Sequence, residues 1–299
     1  MPGPAPAVPD PSLADLLRVL APRPGITASL VPEVQLIRAD HPVPRAPIVY
    51  EPSIIIVAQG RKRVFLGELC YTYDPSNYLV LSVPLPLECE TQASPANPLL
   101  AVAIRVDPTA LGELLLAMDD GQPVPDLMPG VHATPLTEDI TCATVRLLEC
   151  LQSPMDSRLL GSSIVREITY RVLCGEQGGG LRAAAARHGR FSQIARVLRR
   201  VHQEYPQELD VETLAREANM SVSNFHHNFK AVTATSPLQY LKRIRLHQAR
   251  LLILQGEHNV STAASQVGYS SLSQFSREFK RCFGTSPTQG LRLYAAETR

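Results

Sequence analysis

The chain has 299 residues, 44% apolar and 19% charged, enough for about two domains with buried cores. No apolar run approaches the roughly 18–20 residues of a membrane span. The opening MPGPAPAVPDPS has neither a basic nor an apolar leader region, and six cysteines without a CxxC pair argue against a zinc ribbon or a disulfide framework. The net charge of +1 hides an asymmetry: residues 188–299 hold 15 Lys+Arg against 8 Asp+Glu, whereas residues 1–187 hold 14 against 20. A basic module joined to an acidic one suggests a polyanion partner for the C-terminal part. The expectation is a cytoplasmic protein, outside any membrane, with no cofactor and no metal.

Residues 1–33 read as a Pro-rich arm with one short amphipathic helix, SLADLLRVLA (12–21). From 34 to 120 the texture is β. SIIIVAQG, RKRVFLGELCYTYDPSN, YLVLSVPLPLECE and LLAVAIRV are short apolar runs broken by Gly, Pro, Asp and Asn. Gly67-Glu68 fits a tight hairpin turn, and strands at this spacing predict a sandwich or small barrel. DPTALGELLLAM (107–118) starts a helix with Asp107 as N-cap and Pro108 at the first helical position. Residues 121–176 supply two more helices, 137–151 opening at Thr137 and 155–175 ending at Gly175, with a candidate role in dimerisation. The glycines of 177–189 read as a flexible linker, and 190–299 reads as all helical. The fold class is therefore α+β: a β-barrel or sandwich with helices, then an all-α domain.

The C-terminal part contains an internal repeat. Aligning 210–221 with 259–270, then 222–241 with 272–291, leaves Ser271 as a one-residue insertion and yields 13 identities in 32 positions. Each copy has a short helix (VETLAREA, VSTAASQV), a turn holding Asn219 or Gly268 where φ > 0 is cheap, and a second helix with Ser221 or Ser270/Ser271 as N-cap. That is the helix-turn-helix unit.

At 100° per residue, Phe225 and Phe229 fall on one side of the second helix, as do Phe275 and Phe279 in the other copy; that side is core. The opposite side carries Ser223 and His227, flanked by Asn224 and His226, and in the second copy Ser273 and Arg277, with Ser276 on the flank and Leu272 at the helix start. The inner face repeats because it packs; the outer face differs because it reads base edges. Lys230, Lys280, Arg281 and the N-caps Ser221 and Ser271 suit DNA phosphates. Between the copies, PLQYLKRIRLHQARLLILQG (237–256) is long enough to separate two recognition helices by about 30 Å, near the roughly 34 Å of one B-DNA turn.

At these residues the sequence resembles the AraC/XylS family of bacterial transcription regulators. ASQVGYSSLSQFSREFKRCFGTSP (264–287) carries the resemblance; LAREANMSVSNFHHNFKAVTATSP is similar but has His227 where the family usually has Arg and Ala234 where it often has Gly. GRKRVFLGELCYTYDPSNYLVLSVPLPLECE (60–90) looks like the N-terminal domain of one AraC-type subfamily. The resemblance implies a cupin-like, effector-sensing barrel, dimerising helices, promoter DNA and RNA polymerase as partners, and an activator rather than an enzyme. Gln59, Lys62, Tyr71 and Tyr73 are candidates for a small-molecule effector, Tyr71 and Tyr73 sharing a strand face by period two. Two alternatives stay open: a redox sensor using Cys70 and Cys89 on neighbouring strands near Arg61, Lys62 and Arg63, and a metal-dependent cupin enzyme, for which residues 1–187 offer only His41 and His132.

Overall fold

The computed structural model describes residues 11–118, 125–186, 188–255 and 259–289. It opens with α1 (Leu13–Leu20), capped by a Ser12–Asp15 capping box. Nine strands follow: β1 (Gly25–Ala28), β2 (Val34–Ala39), β3 (Val43–Tyr50), β4 (Ser53–Gln59), β5 (Arg61–Leu66), β6 (Leu69–Tyr73), β7 (Asn77–Leu81), β8 (Leu85–Gln92) and β9 (Leu99–Arg105). Then come α2 (Pro108–Met118), β10 (Val131–Pro135), α3 (Glu138–Cys150), α4 (Pro154–Cys174), α5 (Gly179–Ala185) and α6 (Arg190–Glu204). The chain continues through α7 (Val211–Glu217), α8 (Val222–Thr233), α9 (Pro237–Leu254), α10 (Val260–Gln266) and α11 (Leu272–Phe283). Gly256, the last residue of the stretch 237–256 between the repeats, lies outside the described residues, as do residues 1–10 of the Pro-rich arm.

Two antiparallel sheets stack as a sandwich, in the orders β1-β2-β9-β4-β7-β10 and β3-β8-β5-β6. Of the two shapes expected, barrel or sandwich, the structure is the sandwich. The larger sheet is covered on both faces. Ile55, Val57, Leu79, Leu81, Leu99 and Ala101 face the smaller sheet; Ile54, Ile56, Val80, Leu100, Val102 and Ile104 face α1, α3 and α4. Double burial explains why residues 54–57, IIIV, are an uninterrupted apolar run rather than an alternating one. Gly67, at φ +63, turns the two-residue β5–β6 hairpin as expected. Asp107 and Thr137 cap α2 and α3.

The segment 177–189 differs from the flexible linker expected. It contains α5, with Gly180 to Ala184 buried. The Arg182 guanidinium donates to the Leu173 carbonyl at 2.9 Å, closing the C-terminal end of α4. Small residues here allow close packing rather than mobility: a Cβ at Gly178 would stand 2.2 Å from the Leu173 carbonyl oxygen.

The helical module from α6 onward docks on the sandwich. Tyr240, fully buried, donates to the Pro84 carbonyl at 2.7 Å and receives His202 Nε2 at 2.9 Å. Gly130 N–H reaches the Val232 carbonyl at 3.0 Å, and Arg190 pairs with Asp126 at 2.9 Å. No helix among the described residues is long and apolar enough to cross a membrane.

Candidate nucleic-acid interface

The first helix-turn-helix is α7 and α8. Asp210 caps α7 through Thr213 N–H at 2.7 Å. Asn219, at φ 53, makes the turn, and Met220 N–H closes back on the Ala215 carbonyl at 2.9 Å. Ser221 caps α8. Phe225 and Phe229 are buried, edge to face at 5.4 Å, and Phe229 meets Tyr240 of α9 at 5.4 Å. With that side held, Ser223, Asn224, His226, His227 and Lys230 are all exposed on the other. The same turn of α8 contains a residue absent from the sequence expectations. Asn228 is fully buried and donates to Met220 Sδ and to Asn224 Oδ1, at 3.3 and 3.2 Å. The Asn224 carbonyl is thus engaged within the helix, leaving its amide nitrogen free to reach outward.

The second unit, α10 and α11, repeats the construction. Asn259 caps α10, Gly268 (φ +90) makes the turn, and Tyr269 N–H meets the Ala264 carbonyl at 3.0 Å. Ser271 caps α11 exactly where Ser221 caps α8, so the inserted residue is Ser270, in the turn, rather than Ser271. Phe275 and Phe279 pack inward with centroids 5.5 Å apart. Leu272, Ser273, Arg277, Lys280 and Arg281 are exposed, while Ser276 is half-buried and reaches less far. Glu278, the counterpart of Asn228, accepts from Lys242 of α9 at 2.9 Å and from Tyr269 at 2.7 Å. Burial works against its charge, but the bonds from Lys242, Tyr269 and Gln274 hold its carboxyl below the usual range. This carboxylate ties the second recognition helix to α9. Its only sequence signal is a single acid, three residues before the exposed Arg281, in a basic helix.

α9 belongs to both units. Tyr240, Leu241 and Ile244 join the core of the first, and Leu246, Ala249 and Ile253 the core of the second. Its 18 residues span about 27 Å. A cleft of about 290 Å³ separates β3 and β8 from α9 and α11, and Arg281 lies on its wall opposite Glu88.

In the sandwich, the effector candidates divide. Lys62 and Tyr73 are register partners on β5 and β6, both buried, with Tyr71 half-buried two positions along the same face. Lys62 Nζ donates to Tyr50 Oη at 3.0 Å, and Tyr50 Oη lies 3.3 Å from Tyr73 Oη and 3.6 Å from Cys89 Sγ. Burial opposes the Lys62 charge, yet Tyr50 and Cys89 beside it leave the amine above its ordinary value. Gln59 stands apart: its amide donates to the Pro98 carbonyl at 2.9 Å and its oxygen accepts from Arg18. Cys70 and Cys89 are not on neighbouring strands. β5 runs between them, and Cys70 faces solvent while Cys89 is buried. Two strand spacings of about 4.8 Å exceed the reach of a disulfide. The nearby cations are also occupied, Arg61 by Asp74 at 3.3 Å and Arg63 by Glu90 at 2.7 Å.

Comparison with known proteins places these features. Residues 30–180 match the model of the AraC-type transcriptional regulator N-terminus, and residues 214–292 match a helix-turn-helix domain. The transcriptional regulator AlkR of Acinetobacter baylyi is 38% identical over 96 residues, 32% of this chain and 31% of AlkR. The transcriptional activator RhaS of Salmonella schwarzengrund is 31% identical over 87 residues, 29% of this chain and 31% of RhaS. Each match thus spans about a third of the relative. ToxT of Vibrio cholerae shares the fold at a TM-score of 0.56 and 13% identity, over 86% of this chain and 97% of ToxT. With an AraC-type N-terminal domain over half its length and a helix-turn-helix domain behind it, this chain belongs to the AraC family of DNA-binding transcription regulators.

Proposed function

We propose that the chain is an effector-responsive transcription activator that reads two successive major grooves, one with α8 and one with α11. The observation that carries this reading is the shared α9: two helix-turn-helix units, each with its phenylalanines buried and its polar outer face exposed, are held on one helix about 27 Å long. Ser223, Asn224, His226 and His227 read the first half-site; Leu272, Ser273, Ser276 and Arg277 read the second. Ser221, Lys230, Ser271, Lys280 and Arg281 hold phosphates. Arg277 is the guanine reader of the set, because its fork matches the guanine O6/N7 edge.

The effector binds in the sandwich interior around Lys62, Tyr71 and Tyr73. A solved ToxT holds an unsaturated fatty acid, which supports a carboxylate-bearing effector here, since Lys62 is a buried cation among phenols and a thiol. Dimerisation through α3 and α4 is supported by Met155, Leu159, Leu160 and Tyr170, all exposed on α4. RNA polymerase is the downstream partner of an activator.

The test is selection of the full chain against random duplex DNA at about 0.15 M salt, beside His227→Ala and Arg277→Ala. Two half-sites about 10 base pairs apart are expected, each substitution relaxing one of them by about 1–3 kcal/mol. Binding that is salt-sensitive but indifferent to sequence would overturn the two-groove reading.

A further inference from the structure

A second ligand site lies away from the sandwich interior. Between the end of β9, α2 and α4 is a pocket of about 220 Å³. Leu111 and Leu114 of α2 and Val165 of α4 form its apolar wall, and Arg105 and Arg166 line it with exposed side chains. Glu33, just before β2, also lines it, and its Oε2 is buried with no hydrogen-bond partner among the described residues. Asp107 accepts from Ala110 N–H at 2.8 Å and the Thr169 hydroxyl donates to the Val165 carbonyl at 2.9 Å, while Ser162 lines the pocket from an exposed position on α4.

A buried carboxylate oxygen without a donor is costly to retain. In a pocket it is the mark of a ligand that brings the donor. A neutral apolar ligand would leave the oxygen unpaired, and a simple anion would face it directly. A simple amine would answer Glu33 but meet Arg105 and Arg166 at the rim. One arrangement satisfies all three: an ammonium at Glu33, a carboxylate at the arginines, and an apolar body against Leu111, Leu114 and Val165. The volume sits below the roughly 300–1,000 Å³ of drug-sized pockets, so the ligand is metabolite-sized. We propose that this pocket binds a small zwitterion with an apolar side chain, an apolar α-amino acid or a close analogue. Binding there joins α2 to α4, the helix that carries Met155, Leu159 and Leu160 exposed.

The site is tested on the full chain by calorimetric titration with three probes: leucine, isoamylamine and 4-methylpentanoate. Leucine is expected to bind in the micromolar to millimolar range and each half-ligand at least tenfold more weakly. Glu33→Gln, near-isosteric and so least disturbing to the fold, weakens leucine and the amine tenfold or more, with little effect on the carboxylate. Arg166→Gln, on an exposed helix position, weakens leucine and the carboxylate but not the amine. Valine and phenylalanine in place of leucine define the size of the body. No heat from any of these amino acids at millimolar concentration overturns the proposal, as does leucine binding that is indifferent to Glu33→Gln. A thermal melt of each variant, unchanged from the parent, shows that lost binding is not lost folding.

Discussion

Lowering the pH from 7 to 5 is expected to destabilise the α9 region through one side chain, His247. It sits on α9 at the cleft facing β3 and β8, with its Nδ1 buried and unpartnered among the described residues. Burial, then the Arg250 guanidinium and His202 beside it, push its imidazole down to about 4; the Glu51 carboxylate opposes them. The folded protein therefore keeps His247 neutral where the unfolded chain, with its ordinary value near 6.5, takes up a proton. The stabilisation is complete above about pH 6.5 and is lost as pH falls towards 4. Each pH unit across that gap is worth about 1.4 kcal/mol, so the step from pH 7 to pH 5 removes about 2 kcal/mol. Urea unfolding of the full chain and of His247→Gln at both pH values isolates the effect, because the remaining titratable groups are common to both. The variant should lose about 2 kcal/mol less than the parent on acidification. Equal losses would refute the reasoning, because His247 would then not be the buried neutral group described.

Three further outcomes are expected. Tyr240→Phe strips the donor from the Pro84 carbonyl and the acceptor from His202 Nε2, and should cost about 1–3 kcal/mol in denaturant unfolding, because those two polar atoms lose their partner in the interface. Ala234 ends α8 at φ 52, a conformation that favours glycine; Ala234→Gly should raise stability by about 0.5–1 kcal/mol, read as a higher unfolding midpoint, the relief of strain exceeding the entropy added to the unfolded chain. Alkylation of the native protein, followed by mass spectrometry, should label Cys70 rapidly and Cys89 only after denaturation, since Cys70 is exposed and Cys89 buried; prompt labelling of Cys89 would reopen a thiol-based sensor.

What the sequence by itself determined is local chemistry repeated at fixed spacing. Phenylalanines four apart, a serine before each recognition helix, and Asn219 or Gly268 at the positive-φ turn each act within a few residues, so they were legible without a fold, and so was the resemblance built on them. The hairpin at Gly67 and the caps Asp107 and Thr137 belong to the same class. Other features depend on what a segment packs against. The glycines of 177–189 suggest mobility until Leu173, Ser82 and Pro125 press against them, whereupon the lack of side chains is what permits burial. Cys70 and Cys89 read as a pair until the strand order puts β5 between them. Glu278 reads as one more surface acid until Lys242, 36 residues earlier, meets it from α9. The orphaned oxygen of Glu33 is invisible in sequence, because only the meeting of β2, α2 and α4 takes water away from it. Short-range steric and hydrogen-bonding preferences are encoded residue by residue; desolvation and long-range pairing exist only once distant parts of the chain have removed one another from solvent.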